Sequence, residues 1–378
     1  MKEFIGKGSI YKLKDILTKY KPKAIFLVTG KGSYEKSGAK SILTNILKNY
    51  KVVHFDELQP NPKLEDVERG LKIFKENRCD FVIAVGGGSA IDVAKSVNVL
   101  STNFGGVFDY VNNKKELKNR GNILVAIPTT AGSGSEATHF IVLYKGKNKC
   151  SLGHKEFTLP DYAIVDSKLT ESLPAYITAC TGMDALGQAI ESYWSVYSTD
   201  ESKKYASEAI RIILNSIRNA VNDPSAKSRE AMSKGAFLAG KAINISKTTA
   251  CHAIAYPITS YFKVPHGHAV GLTLASMFVY NSKVTEKDVL DKRGGGYVKK
   301  TIKEVVALLG TKIAEEAAKK IGELMKCIGL KTRLSELNIK TEKGREIIIK
   351  NGFNPERVKN NPRLLTEEAL RDILDDIA

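Results

Sequence analysis

The sequence predicts an α/β domain built on a parallel sheet, followed by an all-helical domain. Three observations point there. Apolar runs in the first 150 residues end in glycine or in small polar loops. Amphipathic stretches separate those runs. After about residue 165 long helical patterns take over and few strand signals follow.

The first run, KAIFLVTG (23–30), is the length of a buried strand and ends where a loop must begin. NPKLEDVERGLKIFKENR has helical periodicity, with Pro62 near its start, where a helix tolerates proline. DFVIAVGGG (80–88) and NILVAIPTT (122–130) repeat the strand pattern, giving the βαβ alternation of an open parallel sheet. In the second part, SLPAYITACTGMDALGQAIESYW, SKKYASEAIRIILNSIRNAV and SREAMSKGAFLAGKAINI read as long helices, and Asp223-Pro224 breaks two of them. The expected domains are 1–165 and 166–378.

Composition bounds the function. No apolar run reaches membrane-span length, and the start MKEFIGKGSIYKLKDIL lacks the apolar core of a signal peptide, so a cytoplasmic protein is expected, with no membrane partner. Cys79, Cys150, Cys180, Cys251 and Cys327 are scattered, without a CxxC pair, which reads as reduced thiols. The net charge of +17 is spread along the chain without a basic stripe interleaved with aromatics, so no nucleic-acid partner is expected.

Four stretches carry chemistry. In VGGGSAIDVAKS (85–96), Gly86, Gly87 and Gly88 allow close backbone approach, and Ser89 stands where free helix N–H groups would hold a phosphate. PTTAGSGSEAT (128–138) is a polar loop offering Thr129, Thr130, Ser133 and Ser135. ACHAIAYPITSYFKVPHGHA (250–269) holds three of the six histidines: His252, one helical turn before Tyr256, then His266 and His268 in a turn after Pro265. His54, His139 and His154 lack such company and read as structural. In GMDALGQAIESYW (182–194), Asp184 and Gln188 share a helix face one turn apart. An Asp and a His at that spacing suit a divalent metal, but Gln is a neutral oxygen donor and a poorer transition-metal ligand.

Together GGGSAIDVAKS, PTTAGSGSE, GMDALGQAIESY and PHGHA resemble, in order and spacing, the iron-containing alcohol dehydrogenase family, over nearly the whole chain and more weakly after about residue 285. The resemblance implies a dehydroquinate synthase-like fold, a dinucleotide-binding domain before a helical one, and reversible hydride transfer between NAD(P)H and a carbonyl. It assigns Gly87, Gly88, Ser89, Asp92, Thr129 and Thr130 to the NAD or NADP cofactor, and Gly86 and Ser133, from the same two loops, are read with them. It also assigns Asp184, Gln188, His252 and His266 to a divalent metal, iron or zinc, with Gln188 standing where metal-bearing members have His. His268 or Tyr256 would relay the proton, since the family often has a second histidine at position 256. Gly30 stands where NAD-preferring relatives tend to have Asp, and Lys31, Ser33 and Lys36 follow, which implies NADP. A dimer or higher homo-oligomer is the family expectation.

A narrower resemblance, in DALGQAIESYWSVYSTDES, AGKAINISKTTACHAIAY and VPHGHAVGLTL, is to the phosphonoacetaldehyde reductase branch, which makes 2-hydroxyethylphosphonate in phosphonate biosynthesis. It implies a small anionic aldehyde substrate, for which Lys247, Thr248, Thr249 and Gln188 are the candidate contacts. Two alternatives stay open: a reductase of the same fold acting on lactaldehyde, simple alcohols or maleylacetate, and a non-catalytic nucleotide sensor.

Overall fold

A computed structural model describes residues 1–353 and 358–378. The chain divides into two compact units, Met1–Leu173 and Pro174–Ala378. The division falls eight residues beyond the expected one at 165/166. Asp166 explains the difference: its carboxylate accepts from the backbone N–H groups of Gly8 and Ile10, tying the turn after the last strand to the first unit.

Among the described residues, the first unit carries a parallel sheet of β1 (Lys2–Ile5), β2 (Ile25–Thr29), β3 (Val52–Phe55), β4 (Phe81–Gly86), β5 (Ile123–Pro128) and β8 (Tyr162–Val165). Its order is β1-β8-β5-β4-β2-β3. A separate antiparallel hairpin joins β6 (Phe140–Lys145) to β7 (Asn148–Gly153). The three runs read as buried strands are β2, β4 and β5 at the centre. Alternate residues of one strand feed opposite cores: Ile25 and Leu27 face one, Phe26 and Val28 the other. That is why these strands are apolar throughout. The helices covering them include α1 (Leu13–Tyr20), α2 (Ser33–Lys36), α3 (Ala39–Leu47), α4 (Leu64–Glu76), α5 (Gly88–Ser101) and α6 (Val107–Val111).

The order of strands places a ligand site. From β2 the chain leaves toward β3, whereas from β4 it leaves toward β5, in the opposite direction. The carboxyl ends of β2 and β4 therefore part at a topological switch point, where open α/β sheets bind ligands. The turns there are Gly30–Ser33 and Gly86–Ser89.

The second unit is helical: α7 (Ala175–Trp194), α8 (Asp200–Asn222), α9 (Ala226–Ser246), α10 (Ala250–Phe262), α11 (His266–Ser282), α12 (Gly295–Leu308), α13 (Ala314–Cys327), α14 (Glu342–Gly352) and a last helix, Glu367–Asp376. Helix α7 is buried along most of its length. Its neighbours approach closely because small residues face them. A Cβ on Gly187 would stand 2.5 Å from the Val270 side chain of α11. No described helix is long and apolar enough to cross a membrane.

Candidate active site

In the first unit, Gly87 ends the β4 turn and Gly88 opens α5, so the first N–H groups of that helix face the switch point. The loop after β5 lies against them. A Cβ on Gly88 would sit 2.8 Å from Ser133 Oγ, and one on Gly87 would sit 3.6 Å from Thr130. The Thr129 hydroxyl is buried without a hydrogen-bond partner. Across the sheet, a Cβ on Gly30 would sit 2.5 Å from Ser33 Oγ. Free helix N–H groups, a glycine floor and an orphaned buried hydroxyl are what a dinucleotide's phosphates and ribose require, so the residues fit such a cofactor.

Asp92 has another task than facing a cofactor. One carboxylate oxygen accepts from the Ser135 hydroxyl and the other from the Val142 N–H at 2.9 Å. It lies on the buried side of α5, where it holds the loop and the β6 strand.

In the second unit, α7 presents Asp184 and Gln188 one turn apart, α10 presents His252, and α11 begins at His266. His266 and His268 thus open a helix, where a turn was expected. The ligand atoms of Asp184, His252 and His266 lie within 4.8 Å of one another. Asp184 Oδ1 stands 3.3 Å from His252 Nε2 and 4.0 Å from His266 Nε2. The first two atoms are buried, yet neither has a hydrogen-bond partner. Two buried lone pairs aimed at each other are costly unless a cation lies between them. The donor set, a carboxylate and two imidazoles, suits a divalent transition metal. The Gln188 amide bonds to Asp184, which keeps it beside the cluster. The Tyr256 ring stacks on His266, with centroids 5.1 Å apart and planes inclined by 15°.

Sequence reasoning missed Glu191. It is fully buried on α7, two turns after Asp184 on the same face. One of its oxygens pairs with His252 Nδ1. The other accepts from Thr249 Oγ1 and from the Cys251 N–H, each at 2.7 Å. Glu191 therefore caps the start of α10 from a neighbouring helix. It also fixes His252 with Nδ1 protonated and Nε2 free to ligate. The spacing Asp184, Gln188, Glu191 (i, i+4, i+7) was the signal that could have found it. Burial pushes the Glu191 carboxyl up, but the adjacent His252 and the Thr249 bonds outweigh it and leave it below the usual range. Asp184 is likewise held low: burial raises it, and His252 and His266 outweigh that. Burial alone would lower His252, but the Glu191 and Asp184 carboxylates raise it to about 9. The pocket is built to hold positive charge, as a proton or as a metal.

Glu191→Gln keeps the shape and removes the charge. Metal affinity is expected to fall about 10- to 100-fold, with little change in the melting temperature. Metal titration with a colorimetric competitor checks this, and unchanged affinity would make Glu191 a purely structural cap.

The other candidates are placed as follows. His268 is buried, with Nε2 2.8 Å from the Lys331 carbonyl and Nδ1 3.3 Å from the Tyr176 hydroxyl. Burial lowers its pKa, so the neutral ring is favoured. The Thr249 hydroxyl is taken up by Glu191 and by the Trp194 indole N–H at 3.0 Å. Lys247 ends α9, is exposed, and holds its ammonium 5.3 Å from the Tyr197 ring centroid. The Thr248 carbonyl accepts from Asn360. His54 bonds the Thr29 hydroxyl at 2.8 Å.

Comparison with known proteins meets this geometry at both units. Residues 2–167 match the iron-containing alcohol dehydrogenase family, and residues 178–378 match the C-terminal domain of the Fe-containing alcohol dehydrogenase family. Long-chain-alcohol dehydrogenase 1 of Geobacillus thermodenitrificans is 36% identical, over 77% of this chain and 75% of its own. A 1,3-propanediol dehydrogenase of Citrobacter freundii is 32% identical, over 93% and 90%. Among solved structures, the sulfoacetaldehyde reductase of Bifidobacterium kashiwanohense, in complex with NAD+, superposes with a TM-score of 0.89 at 32% identity, over 100% of this chain and 97% of the other. With a glycine-floored turn in one unit, an Asp-His-His cluster in the other and the family match across both, the chain belongs to the iron-containing alcohol dehydrogenase family.

Proposed function

We propose that this oxidoreductase reduces a small aldehyde bearing an anionic head group, using NADPH, with phosphonoacetaldehyde the best candidate. The observation that carries the reading is the Asp184, His252 and His266 cluster, which gathers a carboxylate and two imidazoles where a carbonyl oxygen can be polarised. A divalent metal bound there would act as a Lewis acid on that oxygen, stabilising the alkoxide charge that hydride transfer creates. Asp184 and His252 would hold it from the buried side, and His266, more exposed, from the solvent side. Gln188 would contribute its amide oxygen to the metal or to the substrate. Tyr256, stacked on His266, would pass a proton to the departing alkoxide. NAD(P)H would lie on the Gly86–Ser89 turn with Thr129, Thr130 and Ser133 over it. Gly30, beside Ser33, brings no carboxylate side chain of its own to repel a 2′-phosphate, which supports NADPH. The protein would act as a homodimer or higher homo-oligomer in the cytoplasm.

Support for the head group comes from two sides. The sulfoacetaldehyde reductase neighbour acts on a two-carbon aldehyde with a tetrahedral anion. Lys247 and Thr248 immediately precede the helix that carries His252. Lys247→Ala should cost about 10-fold or more in kcat/KM on the phosphonate aldehyde, the value of a charge-assisted contact. Activity on an uncharged aldehyde of equal size should hardly change. Rates on phosphonate, sulfonate and uncharged aldehydes, each with NADPH and NADH, test the whole reading. A wild-type preference for the uncharged aldehyde would reject the head group, and a tenfold preference for NADH would reject the cofactor choice.

A further inference from the structure

Lys95 is a lysine where a lysine is expensive. It lies in the middle of α5, two turns past Gly88, and its side chain is only 1% exposed. An unpaired buried ammonium would unfold the unit or lose its proton. Here every N–H is taken up. The ammonium donates to the Ser135 carbonyl, to the Thr138 carbonyl at 2.7 Å and to the Phe140 carbonyl at 3.1 Å, and it lies 3.1 Å from Ser135 Oγ. Asp92, one turn earlier on α5, supplies the balancing charge and accepts from the same Ser135 hydroxyl. The carbonyls concerned all belong to the stretch that leaves the end of β5 and enters β6. Ser135 and Thr138 lie before β6, outside its pairing with β7, so for their carbonyls Lys95 does what a sheet ladder would do.

The tie has a consequence at the other end of the loop. The residues just before Ser135 are those that lie on the glycine turn: Thr130 against Gly87 and Ser133 against Gly88. We propose that Lys95 is a positioning residue for the cofactor, anchoring the 129–140 loop to α5 so that the Thr129, Thr130 and Ser133 hydroxyls stand over the turn that holds the pyrophosphate. The inference rests on the reading of that turn as the NAD(P)H site. It differs from a plain stability role because the tethered carbonyls and the cofactor-facing hydroxyls are on one short loop. Releasing the loop should weaken cofactor binding in protein that is still folded.

The test uses the full-length protein with Lys95→Met, which keeps the stem and removes the ammonium, and with Ser135→Ala, which removes only the shared hydroxyl. NADPH affinity is measured by fluorescence titration at a temperature where circular dichroism shows each variant folded. Hydrogen exchange of residues 129–140 is followed in parallel, and metal binding by the second unit serves as the folding control. Lys95→Met should raise the NADPH dissociation constant at least tenfold and speed exchange in the loop. Ser135→Ala should shift both in the same direction by a smaller factor, about threefold. Metal affinity should stay within twofold of wild type in both. A folded Lys95→Met protein with wild-type NADPH affinity overturns the proposal. If Lys95→Met does not fold, Ser135→Ala decides it, and unchanged affinity and exchange overturn it. If the wild type itself fails to bind NADPH or NADH, it is the cofactor reading that falls.

Discussion

Asp184→Ala is expected to abolish metal binding and to lower kcat/KM for aldehyde reduction by about 1000-fold or more, the value of a Lewis acid worth several kcal/mol in the transition state. Asp184 Oδ1 is the atom that faces both His252 Nε2 and His266 Nε2. Without it the two imidazoles are left as a pair of neutral ligands, with Glu191 bound on the far side of the His252 ring. The protein should still fold, because Asp184 satisfies no backbone group among its described contacts. Metal content by elemental analysis, read beside the rate, checks both halves. A variant that keeps its metal and its rate would move the reaction away from this cluster.

Gly267→Ala should be the most damaging single methyl group in the second unit. A Cβ there would lie 2.0 Å from the Cys180 carbonyl oxygen and 2.7 Å from the Asp184 Cβ. Both atoms are fixed to α7, so α11 must move off α7, and His266 moves with it. Overpacking of this kind costs about 1–3 kcal/mol, occasionally more, which should lower the melting temperature by several degrees, and metal affinity should fall with it. Gly271→Ala, one turn further along α11, is the control: its Cβ would meet the flexible end of Met325 at 3.0 Å. It should cost less and leave metal binding intact. Equal melting temperatures for Gly267→Ala and wild type would show that the two helices can part at no cost.

Three of the six strands were legible because these central strands are buried on both faces. A strand such as Phe81–Gly86 must be apolar at every position, and that run stands out. The edge strands did not announce themselves. Lys2–Ile5 and Val52–Phe55 are four residues long and partly exposed, so burial imposes no such pattern on them. The metal cluster was legible for a chemical reason: histidine is scarce in this chain, so His252 and His266 drew attention by their spacing. Glu191 was not, because a glutamate near the end of a helix ordinarily faces water. Only the packing of α10 against α7 shows that this one is fully buried and bound to His252. Asp92 misled in the opposite way. Its place in a glycine-rich motif suggested a ligand contact, and its side chain instead serves Ser135 and Val142 inside the unit. Lys95 stood in the same motif and passed unremarked, since a lysine on a helix is by default a solvated one.

Metal reconstitution tests the central claim most directly. The protein is stripped with a chelator and titrated with ferrous or zinc ion, and bound metal and the rate of NAD(P)H-dependent aldehyde reduction are followed together. Stripping should be easier than in the Gln188→His variant, whose added imidazole should hold the metal more tightly. Activity should be lost on stripping and return in proportion to bound metal until each chain holds a single ion, in the wild type and in Gln188→His but not in Asp184→Ala. Stripped wild-type protein that reduces the aldehyde at the full rate would contradict it.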